Sequence, residues 1–376
     1  MSYHGHFESQ KPKKKGKKIG LIILAVVLVL VLAVVGVFLW YYNDMMSSYN
    51  YVEMPKSTYA KETEPTAAAT EAAETTAVTE ATTEETTVET TVPPMRDEDI
   101  LNVLVVGNAS RAGEGAAMAD TMILVTVNKY NNTVTLTSFL RDTYVDLPDY
   151  RDSKGTLHTC GWNKMTSCYA LGYSWDGFAG GMEMMNQCVY NNFGVEVDYN
   201  VELDFTAVEY IINYVGGVEL ELTEAEAAYL NADDNYVYYD VQPGLQHLDG
   251  LAALSYARMR KAEGDNDSDI KRTSRQRYMI EQLLNKIKGM NVFQIYGMAT
   301  DMLEYVTTNI SPNELANLIF DFGPVLANMT LNQGTCPIQD LYWNDYKDTP
   351  DGYLPCLVFD QGQHKQLMRA FTEANG

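Results

Sequence analysis

Seven cations crowd residues 244–277 of an otherwise acidic chain: Arg258, Arg260, Lys261, Lys271, Arg272, Arg275 and Arg277, within "GLQHLDGLAALSYARMRKAEGDNDSDIKRTSRQR". Most charge runs are the solvated face of a helix. Helical geometry argues against that for some of these. Residues 268–289 read as a helix with Ser268 as its N-cap. At about 100° per residue, Asp269, Arg272 and Gln276 project the same way as Ile280, Leu283 and Ile287. The apolar members of that stripe must face a core, so the polar members face inward at the N-terminal end. A buried arginine requires a counter-charge, from Asp269 or from a bound anion. Helix N-termini also favour phosphate, through free N–H groups and the helix dipole. The stretch therefore points to a polyanion pocket.

A second cluster lies in "VVGNASRAGEGAAMADTMILV" and "SFLRDTYV". Arg111, Asp120, Arg141 and Asp142 fall at the ends of expected strands, where ligands gather in open α/β sheets. Ordinary loop charge pairs would give the same pattern. Other chemistries fail on their partners. Ser268–Lys271 fits S-x-x-K, but no K-T-G follows. Asp321–Gly323 spells D-F-G with no Gly-rich loop or H-R-D before it. There is no G-x-S-x-G and no H-E-x-x-H, and the five histidines are too scattered for a zinc site.

The elements that must position these residues begin near Asp99. "ILNVLVVG" reads as a buried strand, and "TMILVTVN" and "TVTLTSF" as a hairpin turning at Tyr130–Asn132. Helices are expected over 178–193, 204–215, 249–257 and 311–322, with "VELEL" as a further short strand. Strands alternating with helices imply one α/β domain over 99–376.

What precedes it is of another kind. Six lysines between Lys11 and Lys18 are followed by 24 uncharged residues, Ile19 to Tyr42. Such a helix spans roughly 36 Å, enough to cross a bilayer core of about 30 Å. Trp40, Tyr41 and Tyr42 sit where an interfacial aromatic belt belongs. The run is too long for a signal peptide and has no small-residue cleavage site. The lysines place the N-terminus in the cytoplasm and everything beyond residue 42 outside the cell. Residues 43–98, rich in Thr, Glu and Ala, read as a disordered stalk, because they carry too few large apolar groups to offset their ordering entropy. The chain carries −23 overall and +5 in its first eighteen residues, hence −28 beyond them. An exterior part so acidic lacks the basic footprint of a nucleic-acid binder. Five cysteines lie there; Cys336 with Cys356 is the favoured pair, five buried thiols the alternative.

Together these blocks resemble the LytR–CpsA–Psr family of cell-wall glycopolymer ligases. "LVVGNASR" with "ADTMILVTVN" resembles its opening strand, G-x-D-x-R turn and S-D-T-M strand. "LTSFLRDTYVDLP" resembles its S-x-x-R-D-T-Y-V block, and "NYVGGVEL" its G-G-V-E-V turn. "GLQHLDGLAALSYARMR" with "SDIKRTSRQR" resembles its Arg-rich signature. The resemblance implies an α/β/α sandwich with a central mixed sheet and an apolar tunnel for a polyprenyl tail. It implies transfer of a glycopolymer with its proximal phosphate from a polyprenyl-pyrophosphate carrier to peptidoglycan, with Mg²⁺. It makes Arg111, Arg141, Arg258, Arg260, Arg272, Arg275 and Gln276 the pyrophosphate-holding residues, with Asp269 near the acceptor and Asp120 as a metal ligand. Arg141, Arg272 and Asp269 would be the residues closest to the chemistry. One departure stands out: Ala109 occupies the first Asp of G-x-D-x-R, the family's other metal ligand. That loss favours, as an alternative, a non-catalytic membrane-tethered binder of polyprenyl-phosphate lipids; a hydrolase using water as acceptor is a third reading. The polymer, whether teichoic acid, capsule or another wall polysaccharide, is left open.

Overall fold

The structure, a computed structural model, describes residues 49–55, 99–108, 119–232, 240–259, 269–288, 290–327 and 329–374. The basic tail and the apolar run 19–42 lie outside these residues. Among the described residues no helix is long and apolar enough to cross a membrane.

Strands β1 (Ile100–Asn108), β2 (Ala119–Asn128) and β3 (Thr133–Phe139) come first, followed by four short strands: β4 (Tyr144–Leu147), β5 (Tyr150–Arg151), β6 (Leu157–His158) and β7 (Gly161–Lys164). Helix α1 (Met165–Phe193) leads to β8 (Tyr199–Leu203), α2 (Phe205–Tyr214), β9 (Val218–Leu222), α3 (Glu224–Leu230), β10 (Gly244–Leu248), α4 (Gly250–Arg258) and α5 (Asp269–Ile287). Then come α6 (Val292–Asp301), β11 (Val306–Thr308), α7 (Pro312–Ala327), β12 (Thr330–Cys336), β13 (Tyr342–Thr349), β14 (Gly352–Phe359) and α8 (Gln361–Ala374).

Six strands form the central sheet, in the order β11-β8-β1-β2-β3-β12. It is mixed: β1 and β8 are parallel, as are β3 and β12, and the other neighbours are antiparallel. Period-two alternation sends Leu104, Val106, Met122 and Leu124 into the core beneath α1 and α8. Ile123, Val127, Val134 and Leu136 go the other way, against α5 and α7. Helices thus cover both faces, as expected of an α/β sandwich.

Helix α1 is longer than the expected 178–193 and is bent. Asp176 (φ −136°) and Gly177 (φ +62°) break it, and its two arms fold together. A side chain at Gly172 would place its Cβ 2.2 Å from the Gly180 carbonyl oxygen, so the arms meet backbone to backbone. Tyr150 and Ser153 hydrogen-bond to the Asp176 carboxylate and hold the bend. The expected Cys336–Cys356 pair is not formed: all five cysteines are free thiols, four of them buried. Cys336 ends β12 in an apolar core, whereas Cys356 on β14 neighbours Lys164 and Asp142.

A further difference concerns the tract 43–98. Its residues Asn50–Val52 lie along β11 and extend the sheet at that edge. Tyr51 bridges Thr308, the Val52 N–H donates to the Thr308 carbonyl (2.9 Å) and the Thr308 N–H to the Asn50 carbonyl (3.2 Å). The Asn50 side chain adds a bond to the Glu304 carbonyl (3.1 Å), and Val52 and Met54 pack on the main core. Composition missed this because two backbone bonds, one side-chain bond and two apolar side chains suffice, and the averaged tract hides them.

A domain beginning at residue 96 is therefore expected to melt roughly 2–6 °C below one beginning at residue 49, a loss of about 1–2 kcal/mol. Equal melting temperatures in calorimetry would show that the added strand contributes nothing.

Candidate active site

The pairing of β2 with β3 builds the centre of the site. Ile123 lies opposite Ser138 at the end of the ladder. Counting three further residues on each strand brings Asp120 opposite Arg141, and their side chains form an ion pair. Arg141 also approaches Asp142 (Nε to Oδ2, 3.9 Å), and Lys164 Nζ donates to Asp142 Oδ1 (2.7 Å). The backbone between these charges is pinned: Thr166 N–H donates to the Arg141 carbonyl (3.0 Å), Met165 N–H to that of Thr143 (2.9 Å) and Leu357 N–H to that of Asp142 (2.9 Å). Asp120 and Arg141 are each about one-quarter exposed, so the pair remains open to a solvent-borne ligand.

Helix α5 reaches the same point from the opposite face of the sheet. Arg272 and Gln276 are buried, as the helical stripe requires. Arg272 Nη2 donates to the Asp120 backbone carbonyl (3.1 Å). Two guanidinium groups, Arg141 and Arg272, thus converge on one residue at a strand end. Further along the same helix, Ile280, Leu283, Leu284 and Ile287 line apolar clusters with α6 and α7. Nine partly buried apolar side chains pack against the buried cluster of Ile287, Ile295, Met298 and Ile319.

Other expected members are placed differently. Arg275 points away from Asp120. Its Nε donates to Glu226 Oε1 (2.7 Å) and its Nη1 to the Met259 carbonyl (3.0 Å), with only 5% of its side chain exposed. Burial demands a carboxylate counter-charge, and α3 supplies one. Glu226 is itself held by the capping box it forms with Thr223. Arg275 therefore ties α5 to α3 and to the end of α4, and supports the site from behind. Arg258, exposed in the last turn of α4, lays its guanidinium 3.9 Å over the Phe205 ring, a cation–π contact. Asp269 opens α5. Arg111, Arg260 and Ala109 lie outside the described residues.

Lys164, Glu226 and Phe205 were not singled out from the sequence. Each lies at least 22 residues from its partner, and no spacing rule links them. A lone Lys164 at the start of a mostly apolar helix was the one available signal. Removing the Glu226 carboxylate tests the Arg275 arrangement. Glu226→Ala is expected to cost about 3 kcal/mol in chemical denaturation, the order found when a buried pair loses one partner. A loss below about 1 kcal/mol would mean that Arg275 is satisfied elsewhere.

This geometry can be set beside known proteins. A profile of the LytR_cpsA_psr family matches residues 63–351. TagT of Bacillus subtilis (strain 168), a polyisoprenyl-teichoic acid–peptidoglycan teichoic acid transferase, is 29% identical over 220 residues, 57% of this chain and 61% of TagT, under two thirds of that protein's length. TagU of Enterococcus faecalis (strain ATCC 700802 / V583), which bears the same transferase description, is 28% identical over 339 residues, 87% of this chain and 91% of TagU. The structure of YwtF (TagT) with bound octaprenyl pyrophosphate lipid matches with a TM-score of 0.52 at 21% identity, over 77% of this chain and 95% of that one, a likeness of fold. The family match spans most of the chain, including both strand-end blocks and the Arg-rich helix, and the chain belongs to the LytR–CpsA–Psr family.

Proposed function

We propose that this protein is a membrane-anchored phosphotransferase that moves a glycopolymer with its proximal phosphate from a polyprenyl-pyrophosphate carrier to peptidoglycan. One observation carries the reading: an inward face of α5 has buried Arg272 and Gln276 at one end, Arg272 bonded to the Asp120 carbonyl that Arg141 flanks, and Ile280, Leu283, Leu284 and Ile287 along the rest. A charged end followed by an apolar face on one helix suits a ligand with an anionic head and a hydrocarbon tail. The transferase names of TagT and TagU, and the octaprenyl pyrophosphate bound to YwtF, support the same chemistry.

In this reading Arg141, Arg272 and Gln276 hold the pyrophosphate, with Arg111, Arg258 and Arg260 as further donors. Arginine forks match phosphate oxygens, and phosphoryl transfer rests mainly on positioning and charge neutralisation. Asp269, one turn before Arg272, takes the proton of the acceptor hydroxyl. The hydroxyl oxygen attacks the phosphorus nearest the sugar, the bond to the bridging oxygen breaks, and polyprenyl phosphate leaves. The apolar run 19–42 anchors the chain, with the domain outside the cell.

Mg²⁺ belongs to the proposal. Among the described residues no three His, Cys, Asp or Glu side chains gather as a metal-binding group. Asp120 is the carboxylate that would hold the ion. A single carboxylate completed by substrate phosphates and water suits Mg²⁺, and the bound ion would neutralise pyrophosphate charge. Ala109 favours a second reading, a non-catalytic binder of polyprenyl-phosphate lipids.

The test incubates purified protein with a polyprenyl-pyrophosphate-linked oligosaccharide, peptidoglycan fragments and Mg²⁺, and seeks a phosphodiester-linked adduct by mass spectrometry. Bound but unconverted lipid would leave the binder reading. Arg272→Ala is expected to lower turnover at least about a hundredfold with the fold intact; unchanged turnover would sink the assignment. Restoring the second carboxylate, Ala109→Asp should lower the Mg²⁺ concentration for half-maximal turnover, and an unaltered requirement would show that position to be outside the metal site.

A further inference from the structure

Three arginines project from α5, and they are not provided for equally. Arg275 has the Glu226 carboxylate, and Arg272 has the Asp120 carbonyl. Arg277 is partly buried, and its Nη1, fully buried, makes no hydrogen bond. Among the described residues no carboxylate pairs with it, and burial pushes its pKa below the usual arginine value. Glu281 lies one turn further along the same side of the helix, where a partner is expected, but it accepts from Gln333 Nε2 instead (2.6 Å). A guanidinium does not give up its proton, so a desolvated one requires negative charge from elsewhere.

The register of the sheet places a second unsatisfied group on the same side. Val134 and Leu136 of β3 face α5, in one cluster with its Ile280 and Leu284. Alternation puts Ser138 on that face too, opposite Ile123 of β2 and Thr335 of β12. Ser138 is 1% exposed, and its Oγ has no hydrogen-bond partner. Helix α5 crosses this row: Arg272 bonds Asp120 on β2, and Glu281 bonds Gln333 on β12. Strand β3 lies between those two strands. Arg277 lies between those two residues, on the side of the helix that carries Glu281 and Leu284. A cation and a hydroxyl, neither with an acceptor, are thus placed in the layer between β3 and α5, about 7.5 Å along the helix from Arg272.

We propose that Arg277, with Ser138 as a second donor, is an anion-binding position that takes a phosphate group. A phosphate has the charge to neutralise the guanidinium and enough oxygens to accept from the fork and the hydroxyl together. The inference deepens the transferase reading and rests on it only for the source of that phosphate, the pyrophosphate head of the donor. Free phosphate offers the same chemistry, and the test separates the two. Arg275 carries its counter-charge with or without a ligand, whereas the charge of Arg277 is balanced only when one is bound. Exchanging an uncompensated buried charge for an apolar side chain of similar length removes a desolvation cost. Loss of Arg277 therefore favours the ligand-free protein and disfavours the complex, two effects of opposite sign.

The test uses the full chain in detergent and two measurements. One is the melting temperature without ligand. The other is calorimetric binding of geranylgeranyl pyrophosphate, inorganic pyrophosphate and inorganic phosphate. Arg277→Met is expected to melt at or above the parent temperature and to bind geranylgeranyl pyrophosphate at least about tenfold more weakly. Ser138→Ala should also melt no lower than the parent and bind about threefold more weakly. Arg277→Met that melts several degrees lower marks a structural arginine and overturns the proposal, as does unchanged affinity for all three probes. Should Arg277→Met fail to fold, Arg277→Lys and Ser138→Ala decide: weaker binding at the parent melting temperature upholds the site, and parent affinity in both removes it. A parent that binds inorganic phosphate through Arg277 as tightly as the prenyl pyrophosphate upholds the site with free phosphate as its ligand, while the lipid-donor reading falls. A parent that binds geranylgeranyl pyrophosphate no better than its variants do removes the site and leaves the transferase reading standing. A parent that binds none of the three overturns both.

Discussion

The register of β2 against β3 is the constraint on which the site depends. Side-chain direction alternates along a strand, so a slip of one residue would exchange the faces of every side chain on it. The two hydrophobic sets of this sheet, Leu104, Met122 and Leu124 on one face and Ile123, Val134 and Leu136 on the other, exclude such a slip, and the short turn at Tyr130–Asn132 limits larger ones. That register brings Asp120 opposite Arg141 just beyond the ladder. The functional pair is thus positioned by residues that never touch a ligand, and its geometry is as secure as the core beneath it.

Helix α5 has to deliver Arg272 to the same place from the other face, and a buried arginine is costly to hold there. The structure distributes the cost between two arginines three residues apart. Arg275 takes the carboxylate of Glu226 and the carbonyl of Met259, which fixes the rotation of the helix. Arg272 is then directed to the Asp120 carbonyl. The apolar stripe of Ile280, Leu283, Leu284 and Ile287 sets the same rotation further along the helix.

The edges of the fold show how short segments do work that averaged composition conceals. Asn50–Val52 satisfies backbone groups of β11 that would otherwise be an open edge. The ribbon β13–β14 carries exposed rings at its far end, while Phe359 stacks on Phe193 in the main core and Leu357 bonds to the Asp142 backbone.

Local pattern was enough for much of this protein. The hairpin β2–β3, the helical stripe of α5 and the inward burial of Arg272 and Gln276 all follow from periodicity, because the direction of a side chain is set by its own backbone within a few residues. The α/β class follows from the order of elements, and the family from four blocks read in sequence. What tertiary structure alone decided is which charges meet. Lys164 with Asp142, Glu226 with Arg275 and Phe205 with Arg258 are separated by 22 residues or more. The bend of α1 required the β5–β6 hairpin to reach Asp176. Partner choice over such distances depends on how whole elements pack, and the energy that selects it belongs to the folded assembly and not to any stretch of chain.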